Sequence, residues 1–321
     1  MTRWNWTWEE HPPQERQTPD EASEPPTDRS PERERILRRR RTAAAALALI
    51  GVAALALALG ALGSHGHHSR PSAAPRRGAR RTLTVTQRDA ARSHAEERAI
   101  ERVLSYTPFV VRGGDEGNEV ALTFDDGPGP YTQRLVDTLN SLHVHATFFA
   151  IGEEERYFSS GTIDELRSGD TVGDHTETHP MMALLSPHEQ HEELLEPIYR
   201  IELLGGPRPR LFRPPYGSFN AATFKELRKL HLLMVLWSTD TSDYTLPGVS
   251  AIVDSALAGA RPGAIILMHD AGGDRSQTIA ALPQIIRGLR QRGLQPVTVP
   301  RLLLDDPPPP GQPIPKSLSG G

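Results

Sequence analysis

Hydrophobic and β-branched residues gather in short blocks between about 118 and 304, and stretches of helical spacing separate them. The blocks are Val120–Phe124, Ala146–Ile151, Thr171–Asp174, Leu211–Arg213, Leu232–Ser238, Ala264–Met268 and Pro296–Val299. Between them, apolar positions recur every three or four residues near 131–142, 162–168, 188–204, 219–230, 248–259 and 276–292, and each predicts a helix. Gly169, Gly205-Gly206 and Gly293 follow three of these segments, where a left-handed cap ends a helix. Strands that alternate with helices predict parallel pairing, because a parallel neighbour is reached through a crossover. About seven such strands predict an α/β domain over 118–304, a barrel close to the (β/α) type, with its chemistry at the carboxyl ends of the strands.

Upstream the pattern changes. Residues 1–42 are polar and charged and include six prolines, so little apolar surface is available to offset ordering, and a disordered tail is expected. Residues 43–63 form a 21-residue apolar run without a charge, long enough to span the ~30 Å hydrocarbon core as a helix. The run predicts a single transmembrane anchor; a signal sequence, cleaved near Gly63 or left uncleaved, is the competing reading. Six arginines in 33–41 against five in 70–81 favour a cytoplasmic N-terminus and an extracytoplasmic domain. Residues 64–117 read as a linker that ends in an amphipathic helix over 88–105, with Ala91, Ala95, Ala99, Ile100, Val103 and Leu104 on one face. Residues 305–321, with Pro307–Pro310 and a Gly/Ser end, predict an extended or disordered tail.

Composition narrows the chemistry. The net charge of −4 supplies no basic field for nucleic acid. With no cysteine, the chain has no disulfide, no thiol nucleophile and no thiolate zinc site. The sequence contains no G-x-S-x-G elbow, P-loop or dinucleotide-binding G-x-G-x-x-G, which weakens serine hydrolase, NTPase and Rossmann readings.

The polar clusters fall where predicted strands end. Val120–Phe124 runs into Asp125-Asp126-Gly127-Pro128, and adjacent carboxylates repel unless a cation offsets them; a solvated turn has the same composition. Thr171–Asp174 runs into His175-Thr176-Glu177-Thr178-His179-Pro180, whose two imidazoles suit one metal as well as they suit two surface positions. Asp126 with both histidines makes a two-His, one-carboxylate set that leaves positions open for water and substrate, and zinc fits it best among divalent ions. In Leu211-Phe212-Arg213-Pro214-Pro215-Tyr216-Gly217 the two prolines carry no N–H, so Tyr216 has the first free donor after Arg213, and Arg213 could pair with an aspartate. Asp240-Thr241-Ser242-Asp243-Tyr244 also suits a solvated loop, and His269 ends a buried strand, where a carboxylate beside it would suit it to donate a proton.

Taken in order, Thr123–Pro128, His175–His179, Arg213–Tyr216, Asp240–Tyr244 and Leu267-Met268-His269 resemble the five motifs of the polysaccharide deacetylase family, carbohydrate esterase family 4, over about 118–303. The resemblance implies a distorted (β/α) barrel that removes acetyl groups from glycans with one divalent metal. Asp126, His175 and His179 would hold that metal, and Asp125 would be the general base. Arg213 would hold Asp125, the Tyr216 N–H would face the oxyanion, and His269, oriented by Asp243, would protonate the leaving amine. Leu267, Tyr244 and Pro215 would line the substrate site. Tyr244 departs from the family, which commonly has Trp there, and its hydroxyl bears on substrate shape more than on the reaction. Tyr131, Phe149 and Trp237 are candidates for stacking on sugar, with core packing the stronger reading for the last two. The expected activity is deacetylation of an N-acetylated cell-envelope or extracellular polysaccharide, peptidoglycan-like or chitin-like. A non-catalytic glycan-binding module and a small-substrate C–N amidase are the rival readings.

Overall fold

The computed structural model describes residues 85–313. Nine parallel strands form one sheet: β1 (Phe109–Val110), β2 (Glu119–Asp125), β3 (Thr147–Ala150), β4 (Thr171–Asp174), β5 (Leu211–Phe212), β6 (Leu233–Val235), β7 (Thr239–Asp240), β8 (Ile265–His269) and β9 (Gln295–Val297). The helices are α1 (Val85–Leu104), α2 (Thr132–Ser141), α3 (Gly152–Tyr157), α4 (Ser159–Ser168), α5 (Pro187–Leu203), α6 (Ala221–Leu230), α7 (Val249–Gly259), α8 (Ser276–Gln291) and α9 (Val299–Asp305). All seven expected strands are present. The expectation missed β1 and β7, because two residues are too few to show alternation, and the short helices α3 and α9.

Strand neighbours run β1-β6-β5-β4-β3-β2-β8-β7, with β9 beside β2. Ala121 pairs with Ile265 of β8 and with Val297 of β9, so β9 occupies the side of β2 that β3 takes over from Thr123 onward. The path does not close, since β1 and β7 are its ends, and the sheet is a curled, partly open barrel rather than a complete one. β1 also brings residues upstream of 118 into the sheet, through its pairing with β6.

The period of two sorts the strands' faces. Val120, Leu122 and Phe124 of β2, with Ile266 and Met268 of β8, pack among Leu135 of α2, Ile252 of α7 and Ile285 of α8. Ala121, Ile265 and Leu267 belong to the other apolar cluster, with Phe149 and Met234. Thr123, Asp125 and His269 follow that second face, so their side chains leave the sheet where the strands end. Ala99, Ile100 and Val103 of α1 join the same cluster as Leu302 and Leu303 of α9.

Residues 305–313, at the start of the segment expected to be disordered, are docked. Tyr106 donates its hydroxyl to the Pro308 carbonyl at 2.8 Å. Gln312 Oε1 accepts from the N–H of Val111 at 2.7 Å, and its amide nitrogen donates to the Arg112 carbonyl at 2.7 Å. A polar side chain thus satisfies backbone groups just past the end strand β1. Among the described residues no helix is long and apolar enough to cross a membrane. The expected tail 1–42 and span 43–63 lie outside the described residues.

Candidate active site

Strand alternation alone would send Asp125 and Asp126 to opposite faces. Asp126 instead has φ of 72°, the left-handed region, and this turn brings its carboxylate back to the side of Asp125. Gly272 allows the approach: a Cβ there would lie 2.7 Å from Asp126 Oδ2. Asp126 Oδ1 lies 3.6 Å from His175 Nε2 and 3.2 Å from His179 Nε2. His175 Nδ1 donates to the Arg213 carbonyl at 2.7 Å, which leaves Nε2 as the ring nitrogen that faces Asp126. His179 Nδ1 lies 3.1 Å from the Tyr216 hydroxyl, and its Nε2 likewise faces Asp126. Burial pushes the Asp126 carboxyl up, but hydrogen bonding to the two histidines outweighs this and holds it well below the usual carboxylate range.

These donors fit a divalent ion. The three ligand atoms lie within 4.8 Å of one another, and both imidazoles are oriented from behind by a second hydrogen bond. Ligand atoms on a tetrahedral ion with bonds of ~2.1 Å stand ~3.4 Å apart, close to the two separations between Asp126 and the histidines.

Asp125 is held separately. Its Oδ1 accepts from Arg213 Nη1 at 2.7 Å, while Oδ2 is 3.8 Å from His175 Nε2. The fully buried Arg213 also donates to Thr123 Oγ1 at 2.8 Å and to the carbonyls of Val235 at 3.1 Å and Leu236 at 3.3 Å. Its guanidinium stacks 4.3 Å from the centre of the Phe149 ring, which places Phe149 in the core rather than against substrate. Gly173 makes room for that ring, since a Cβ there would meet it at 2.8 Å.

His269 ends β8, with its Nδ1 2.7 Å from Asp243 Oδ1. Asp243 Oδ2 accepts from the His269 N–H at 3.0 Å and from Thr278 Oγ1 at 2.6 Å. Burial opposes a charge on the imidazole, but Asp243 prevails, helped by Asp126 and Asp125, and the pKa is pushed up to about 9. Tyr244 packs edge-on to His269 at 5.3 Å between ring centres.

Asp125, Asp126, His175, His179, Pro214, Tyr216, Trp237, Leu267 and His269 line one cavity of about 10 Å³, room for a single water or ion. Pro214 and Trp237 line it, whereas Pro215, expected to meet substrate, is buried beside it. Tyr131 does not line it. Tyr216 has φ of 57°, and among the described residues its N–H has no acceptor. Thr278 and Asp270 escaped the sequence reading, and Thr123 entered it only as part of a motif, without a role. Asp270 is fully buried, accepts from Thr132 on the far side of His269, and is pushed up to about 7, chiefly by burial.

A sequence model of the polysaccharide deacetylase family matches residues 112–235. A peptidoglycan-N-acetylglucosamine deacetylase of Bacillus cereus is 38% identical over 187 residues, 57% of this chain and 87% of that one. A chitooligosaccharide deacetylase of Bradyrhizobium is 38% identical over 196 residues, covering 57% and 90%. The crystal structure of a peptidoglycan N-acetylglucosamine deacetylase superposes with a TM-score of 0.61 at 30% identity, over 66% of this chain and 99% of that one. The chain belongs to the polysaccharide deacetylase family, carbohydrate esterase family 4, and its named relatives are deacetylases, hydrolases that act on carbon–nitrogen bonds.

Proposed function

We propose that this chain is a metal-dependent N-deacetylase of an N-acetylated envelope or extracellular glycan, with zinc as its ion and residues 43–63 as a membrane anchor that holds the domain outside the cytoplasm. The observation that carries the reading is the convergence of Asp126, His175 and His179 within 4.8 Å, beside Asp125 and His269 in one cavity. The charge-free run at 43–63 supports the anchor, since tethering suits a polymeric substrate near the bilayer.

An amide is a poor electrophile with a poor leaving group. When bound by Asp126, His175 and His179, the ion supplies Lewis acidity at the carbonyl and lowers the pKa of the attacking water towards ~7. Asp125, fixed by Arg213, takes the proton from that water. The Tyr216 N–H faces the developing oxyanion, where one fixed donor contributes about 3–4 kcal/mol. His269 gives its Nε2 proton to the departing amine, and Asp243 keeps the imidazole charged until then. Leu267 lines the cavity beside His269 and offers an apolar wall to the acetyl methyl.

Purified full-length protein should contain about one divalent ion per chain and release acetate from peptidoglycan or chitooligosaccharide. Chelation should stop the release and added zinc should restore it. Turnover of small amides with no glycan turned over would sink the proposal.

A second expectation concerns pH. The charged imidazole of His269 is the active form, so rate falls as pH rises through its pKa of about 9. Asp243→Asn removes the carboxylate that raises that pKa, so the alkaline limb of the kcat profile should move down by more than about one unit. An unmoved limb would place the proton donor elsewhere.

A further inference from the structure

The link between the two histidines has an unusual backbone at both ends. Thr176 and His179 have φ of 71° and 60°, a region disfavoured for residues that carry a Cβ. Local bonds account for those two positions: Asp174 Oδ1 accepts the Thr176 N–H at 2.7 Å, and Thr176 Oγ1 accepts the His179 N–H at 3.0 Å. The two N–H groups between them are held by α5. Glu193 Oε2 accepts the N–H of Glu177 at 3.0 Å and of Thr178 at 2.8 Å, while its Oε1 accepts the Thr178 hydroxyl at 2.8 Å.

Seven residues on, along the same side of α5, Arg200 Nη2 donates to both carboxylate oxygens of Glu177 at 3.0 and 3.1 Å, and Arg156 adds a further contact. The helix is itself firmly seated. Ser186 and Glu189 form a capping box at its start, and Gln190, Leu194, Pro197, Ile198 and Ile201 are buried along it. A rigid helix therefore grips the link from the side away from Asp126.

The two histidines do not depend on this grip equally. His175 continues the β4 ladder, with its N–H on the Ala150 carbonyl at 3.0 Å and its ring on the Arg213 carbonyl. His179 lies beyond the strand: its ring meets Tyr216, Asp126 and His175, and its backbone is placed by the link.

We propose that Glu193 is a positioning residue for His179: its carboxylate fixes the His175–His179 link so that His179 Nε2 stays opposite Asp126, and it thereby sets the affinity of the site for a divalent ion. This rests on the metal site proposed above. Without Glu193, two backbone donors of the link lose their acceptor, and the segment that carries His179 loses its main-chain hold on α5. Affinity suffers first, because a ligand whose orientation is not enforced must be ordered as the ion binds.

The test is a zinc titration of full-length wild type, E193A and E193Q against a chromophoric chelator, with acetate release followed at rising zinc. E193A should bind zinc about 10–100-fold more weakly, with kcat returning towards wild type at saturating zinc. E193Q should stay within about threefold of wild type, since its amide oxygen still accepts both N–H groups and its amide nitrogen can donate to Thr178. Should E193A not fold, E193D, one methylene short, should bind more weakly than E193Q. Wild-type affinity in E193A, equal weakening in E193A and E193Q, or a kcat that stays low at saturating zinc would each overturn the proposal. A wild type that binds no divalent ion would instead overturn the metal site, and this inference with it.

Discussion

Asp125→Asn should lower acetate release by about 10²–10⁴-fold while the protein keeps its divalent ion. The substitution preserves shape. The carboxamide oxygen can still accept from Arg213 Nη1, which lies 2.7 Å from Oδ1 in the native protein. Its nitrogen then occupies the place of Oδ2 and has no lone pair with which to take a proton. The proposed ligands Asp126, His175 and His179 keep their own partners, so metal content should not change. Acetate assays and metal analysis on the same preparation separate the outcomes. A wild-type rate would remove Asp125 as base, and loss of ion together with rate would make it a ligand.

Arg213→Leu should have the largest effect on stability, about 3–5 kcal/mol, seen as a fall in Tm of roughly 6–20 °C. Arg213 is fully buried and makes four hydrogen bonds, to Thr123, Asp125, Val235 and Leu236. Leucine can pack on Phe149 and Trp237, the two rings beside the guanidinium, but it leaves the Asp125 charge buried without its partner. The double variant D125N/R213L should therefore be more stable than R213L alone, because neither charge remains. Thermal melts of the three variants decide it. A single-variant loss under about 1 kcal/mol would mean that water reaches Asp125 and that the pair is not sealed.

Much of the frame was legible because its signals are local. Val120–Phe124 and Ala264–Met268 are apolar on both faces, as strands covered on both sides must be. The helix over 188–204 is marked by its apolar spacing and by Gly205-Gly206 after its end, and the structure adds a capping box of Ser186 and Glu189 at its start. Where a signal is too short, the reading failed. β7 spans Thr239–Asp240 and gains its partner from β8, so nothing in those two residues alone marks a strand. The tail is a different case: its prolines predict an extended or disordered segment, but Gln312 meets backbone groups two hundred residues away that no local rule anticipates.

The candidate site divides the same way. Residue types at strand ends, read together with their resemblance to the five motifs of the family, singled out Asp125, Asp126, His175, His179, Arg213, Asp243 and His269. Their partnerships were not contained in any local pattern. Arg213 reaches Asp125 across 88 positions and His269 reaches Asp243 across 26, and both meetings depend on strand order and register. Glu193 looks like any solvated helix carboxylate until α5 is docked beside the His175–His179 link.

By itself, then, the sequence determined which segments become strands and helices and which chemical groups stand at their ends, because burial patterns and turn residues act over a few positions. The tertiary structure decided that Asp126 turns back to the face of Asp125, that Phe149 belongs to Arg213 rather than to substrate, and that Glu193 stands behind the histidines. Those outcomes depend on how distant strands and helices are brought into register, and that follows from packing of the whole domain rather than from any neighbourhood of the chain.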